Sequence, residues 1–180
     1  MKIKLTVVVL ILLFTCTASA YAFDNWQHTS SYNSQPVRYR DWTVGGPQAN
    51  QPAILAGTRN SSSDVLSIAT WQETPGNIVT RVLISSPGNY APSANEKRQV
   101  RIYIDEKPFA YATVALSHGD GSVLFTLQGI SYVELFNEFV PGHSVSFVVE
   151  NHPAPVVMKF SLLGFTDSLK HMAALADRVF

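Results

Sequence analysis

A single cysteine, Cys16, stands among 180 residues. That excludes a disulfide framework within one chain and a multi-cysteine zinc or iron–sulfur site. Charge is scarce as well. Only 14% of the residues are charged, against roughly 25% in an average soluble domain. The 13 Lys+Arg balance 13 Asp+Glu, which leaves no polybasic surface, so nucleic acid is not expected as a partner. A phosphate-binding glycine-rich loop is missing too, because Gly45-Gly46 is followed by Pro47-Gln48 rather than by a helix start. What is plentiful is apolar: 46% of the chain is hydrophobic, which argues against disorder and suffices for the core of one domain.

One long hydrophobic run exists, and it lies at the amino terminus. Met1-Lys2-Ile3-Lys4 precedes Leu5 to Phe14, where Thr6 is the single polar residue, and small residues follow from Thr17 to Ala22. A basic start, a short apolar stretch and an Ala-x-Ala end are the marks of a secretory signal peptide. The run is short for a membrane span of roughly 20 residues. Residues 1–22 are therefore expected to be cleaved, after Ala20 or after Ala22. Cys16 leaves with them; Phe14-Thr15 before it fit poorly the small residues that a lipid-modified cysteine requires. The 13 basic residues less Lys2 and Lys4 leave 11 against 13 acidic ones, so the mature chain is slightly acidic. It is expected in the periplasm, without a membrane-spanning segment.

Residues 23–36 are polar and read as an irregular arm carrying Trp26 and Tyr32. From residue 37 to 180 one domain follows. Val37 to Val44 has a period of about two; further strands are expected at Ala53 to Thr58, Val65 to Trp71, Ile78 to Ile84, Gln99 to Asp105, Phe109 to Leu116, Ser122 to Leu127, Ser144 to Glu150 and Val156 to Leu163. Gln99 to Asp105 alternates cleanly, with Val100, Ile102 and Ile104 on one face and Arg101, Tyr103 and Asp105 on the other. Short strands broken by Gly, Pro, Asn and Ser define an all-β fold, an antiparallel β-sandwich. Two segments change to helical spacing: a short connecting helix over 130–139, and a C-terminal helix over 167–179 with Thr166 as its cap and an apolar stripe of Leu169, Met172, Ala173, Ala176 and Val179.

No motif for chemistry is complete. Gly142-His143-Ser144-Val145-Ser146 lacks the second glycine of a nucleophile elbow. His118-Gly119-Asp120-Gly121 reads as a tight turn rather than a metal site, and neither His143 nor His152 has a helical metal-ligand partner. Asp105-Glu106 falls in a turn, and Glu134 and Glu138 fall on the wet side of the short helix, so neither pair reads as a catalytic couple. No catalytic residue, cofactor or metal is assigned. The aromatics of the first half are a candidate binding surface: Trp26, Tyr39, Trp42 and Trp71.

Three segments carry a resemblance. They are Val100-Arg101-Ile102-Tyr103-Ile104-Asp105 followed by Glu106-Lys107-Pro108; Val133-Glu134-Leu135-Phe136 ahead of the Gly142-led strand; and the closing run from Phe160 to Leu169. With Asp41-Trp42-Thr43-Val44 they resemble the invasion-associated locus B family of exported bacterial proteins. The likeness spans most of residues 37–175 and is most specific near 160–169. It departs at the cysteines: family members commonly carry Cys pairs, one soon after the Trp-x-Val strand, where this chain has Gly45-Gly46. The resemblance implies a periplasmic β-sandwich linked to host-cell invasion or envelope function, and no catalytic residues. The leading expectation is a non-catalytic exported protein that binds another protein or an envelope component. The alternatives are an accessory factor of a secretion or envelope-assembly machine, and a periplasmic hydrolase whose site no motif reveals.

Overall fold

The computed structural model describes residues 36–46, 53–87, 96–119, 122–150 and 154–180. Residues 1–22, expected to be a signal peptide and containing Cys16, and the expected arm up to residue 35 with Trp26 lie outside the described residues. The elements are β1 (Val37–Tyr39), β2 (Trp42–Gly45), β3 (Ala53–Arg59), β4 (Val65–Thr74), β5 (Asn77–Ser86), β6 (Lys97–Ile104), β7 (Lys107–Gly119), β8 (Ser122–Gln128), α1 (Tyr132–Phe139), β9 (Ser144–Val149), β10 (Val156–Ser161) and α2 (Phe165–Val179). Every strand pairing is antiparallel. The order across the sheet is β1-β2-β3-β4-β5-β8-β7-β6-β9-β10. Strands β5 to β8 form a Greek key, with the β6-β7-β8 meander returning to lie beside β5. The architecture is all-β and sandwich-like, with one short connecting helix and one C-terminal helix.

The stretch from Val37 to Val44 is not one strand. Arg40 takes a φ of 53°, and Tyr39 pairs directly with Trp42, so Arg40-Asp41 is a tight turn between β1 and β2. Pro75-Gly76 turns β4 into β5, with Gly76 at φ 80° supplying the left-handed residue that such a turn needs. Asp105-Glu106 turns β6 into β7 with φ of 47° and 69°, a type I′ pattern built without glycine. Pro108 enters β7 at a bulge, where its missing N–H costs the ladder little.

One main core lies between the two halves of the sheet. Trp42, Phe125, Phe139, Phe147, Phe160 and Phe165 are its largest fully buried side chains. The α1 helix starts at Ser131, whose Oγ accepts from the Glu134 N–H at 3.4 Å, and it buries Leu135 and Phe139. Tyr132 donates its hydroxyl to Leu127 O at 2.6 Å, and burial pushes its phenol above the ordinary value.

The C-terminal helix begins earlier than its spacing predicts. Its N-cap is Gly164, not Thr166; Thr166 lies inside the helix and donates its hydroxyl to Val140 O at 3.3 Å. Gly164 has φ 93°, and a methyl group there would be driven into the Tyr39 carbonyl. The chain can therefore pass the β1–β2 turn only as glycine. Met172 is buried and Leu169 and Ala176 half-buried, as the stripe predicts, but Ala173 and Val179 are exposed, and Phe165 and Ser168, outside the stripe, take inward positions. Phe165 is the hub: its ring lies 5.1 Å from Trp42, 5.3 Å from Phe139 and 5.8 Å from Phe136. Edge-to-face and tilted rings at these distances are favourable beyond their buried area.

A second, smaller cluster lies on the outer face of β3, β4, β5 and β8. Leu55, Ala69, Leu83 and Leu124 are all buried there, with Trp71 packed against them.

Candidate interaction surface

The aromatics singled out in the sequence do not form one surface. Trp42 is 0% exposed, and its indole N–H donates to Ser161 O at 3.0 Å. It is a core residue that ties β2 to the end of β10, and its buried donor is satisfied as burial requires. Tyr39 is half-buried; its hydroxyl lies 2.7 Å from His171 Nδ1, ring edge to ring face. It fastens α2 to β1. Trp71 belongs to the second cluster, on a different face. The expected Tyr39–Trp42–Trp71 surface is corrected on these grounds: alternation shows which side of a strand a ring takes but not what then packs over that side.

The outer face of β7, β6, β9 and β10 is different. Arg101 pairs with Tyr111 on one side and Val148 on the other, and Val148 pairs with Val157. The four side chains form one row across four strands. Tyr111 is 75% exposed and Val157 62%, the most open aromatic and edge-strand aliphatic positions of the described residues. Arg101 lies half-buried between them, and its Nε is buried without a hydrogen-bond partner among the described residues. The next row runs Tyr103–Ser146–Lys159. Lys159 Nζ meets Glu106 Oε1 at 3.2 Å, an exposed pair of little energetic weight. Tyr and Arg on an apolar background are the residue types that dominate protein interfaces.

Sequence reasoning placed Arg101 on this face and missed Tyr111. A plain two-residue hairpin at Asp105-Glu106 would set Tyr111 opposite Val100, facing inwards. The bulge between Ile102 and Tyr103 inserts Phe109, shifts the register by one and turns Tyr111 outwards.

At one end of this half the Asp105 carboxylate accepts from the backbone N–H of His143 at 2.9 Å and of Ser144 at 2.8 Å. His143 Nδ1 lies 3.4 Å from it and Ser144 Oγ 3.5 Å. The backbone donors of Ser144 and His143 hold its pKa below the ordinary 3.8. The two backbone donors clamp the β6–β7 turn to the start of β9. A shallow cleft of about 330 Å³ lies beside it, between Ile104, Lys107, Phe109, Glu138 and Pro141. Glu134 and Glu138 are exposed on the outer side of α1. Among the described residues no group of three or more His, Cys, Asp or Glu is gathered for a metal ion. Asp120, Gly121 and His152 lie outside the described residues. No described helix is long and apolar enough to cross a membrane.

The fold and this surface define an antiparallel, sandwich-like all-β protein with one open, aromatic-bearing outer face. Comparison with protein-family models, with curated proteins and with solved structures finds no match.

Proposed function

We propose that the protein is an exported, non-catalytic β-sandwich that binds another protein or a cell-envelope component through the outer face of β7, β6, β9 and β10. The observation that carries this reading is the Tyr111–Arg101–Val148–Val157 row. It offers a large amphipathic ring and a β-branched side chain to solvent, around a guanidinium whose Nε is unpartnered. A partner that covers the row gains apolar burial from Tyr111 and Val157 and can bring an acceptor to the Arg101 guanidinium. Export is supported by the signal-like residues 1–22, and an envelope or host-invasion role by the resemblance to the invasion-associated locus B family.

The test is site-directed photo-cross-linking in intact cells. A photoreactive phenylalanine analogue replaces Tyr111, and a control copy carries it at the exposed Asp177 of α2. The expected result is a discrete adduct from position 111 alone, lost when Arg101→Ala is added. Equal adducts from both positions, or none from 111, would overturn the reading.

A further inference from the structure

The second open feature of this half is a backbone edge. Among the described strands β10 is outermost and has β9 on one side only. Its six pairs with β9 run from Val156–Val149 to Ser161–Ser144 without a bulge. The Leu162 N–H reaches His143 O at 2.8 Å, so Leu162, Phe160 and Met158 turn their backbone groups towards β9. Ser161, Lys159 and Val157 turn theirs the other way. The far end of that outer side is already occupied by the protein's own β1–β2 turn. The Trp42 indole donates to Ser161 O at 3.0 Å, and the Asp41 N–H to Leu163 O at 3.3 Å. At Val157 and Lys159 no described group takes the same place. The opposite edge of the sheet, β1, is only three residues long. Lys159, the one charge that guards β10, has its ammonium beside Glu106.

We infer that β10 is an acceptor edge for an extended segment of a partner polypeptide, which adds as a further strand to the N–H and C=O groups of Val157 and Lys159. The added strand continues the ladder, so its residue beside Val157 lengthens the outer row and is best β-branched or apolar. The inference goes beyond the face described above: it is read by backbone groups, and that face by side chains.

The experiment titrates isotope-labelled mature chain with the capped peptide Ser-Val-Ser-Phe-Val-Val-Glu, a copy of residues 144–150 that forms the ladder on the other side of β10. Amide shifts centred on Val157 and Lys159 are expected, with slowed hydrogen exchange there. The same peptide N-methylated at alternate residues loses its donors and is expected to lose about tenfold or more in affinity. Val157→Pro removes an edge donor but no ladder bond, so it keeps the fold and loses peptide binding. Shifts away from β10, no shift at millimolar peptide, or equal binding by the N-methylated peptide overturns the inference. Self-association that is lost in Val157→Pro also overturns it, since a second copy then takes the edge.

Discussion

The two halves of the sheet use their outer faces in opposite ways. On β3, β4, β5 and β8 the outward residues Leu55, Ala69, Leu83 and Leu124 are buried, and each strand has a run of consecutive buried residues. On β6, β9 and β10 the outward positions are Arg101, Tyr103, Ser146, Val148, Val157 and Lys159, and burial alternates residue by residue. A strand buried on both sides loses the period of two, and a strand open on one side keeps it. Stability should therefore respond to both faces of the first half but to one face of the second. Binding should depend on the face that stability does not need.

The largest contrast is expected between Leu83→Asp and Val157→Asp. Leu83 is 3% exposed, and an unpaired carboxylate there should cost about 4 kcal/mol or more in urea unfolding. Val157→Asp should change stability by less than about 0.5 kcal/mol. Equal effects would erase the distinction between the faces. Next comes the joint between the halves. Gly164→Ala adds a methyl group against the Tyr39 carbonyl at a positive φ and should cost about 3 kcal/mol. A melting temperature near that of the parent would show that β1 does not hold α2 in this way.

A smaller effect concerns Asp105, where the second half is clamped by a charge. Its folded-state pKa is lowered, so its contribution to stability is present above the unfolded value near 3.8 and is lost as pH falls through the lower folded value. The stability difference between the parent and Asp105→Asn should be constant near neutral pH and shrink on acidification below that range. A difference independent of pH would sink the clamp. The smallest effect is expected for Tyr111→Ala, which should alter unfolding by less than about 0.5 kcal/mol; a larger loss would show that the outer face carries stability as well.

Much of this fold was legible from residues alone, because hydrophobic period and turn residues are local. The alternation of Val100, Ile102 and Ile104 and the Asp105-Glu106 turn stand where the pattern puts them, as does the helix from Tyr132. Position within the sheet was not legible. Trp42 sits in a strand of the expected kind, yet its burial depends on Phe165 and Ser161, more than a hundred residues away. The cap of α2 was misread for a similar reason: Thr166 has the chemistry of a cap, but Gly164 is dictated by the close passage of Tyr39. The candidate surface hung on one inserted residue, Phe109, which no composition or period announces.

The contact of Tyr39 with His171 also bears on how the molecule reaches this state. Its partners are 132 positions apart. They join the first described hairpin to the last helix, and Gly164 locks the same two elements together. A chain that emerges amino-terminus first cannot complete its core until α2 is out, because Phe165 and Met172 are part of that core. Closure therefore comes late and carries the loop-closure cost of long-range contacts, so folding is slow for the chain's size. Until then the first strands remain unlocked, and the aromatic contacts around Phe165 are unmade.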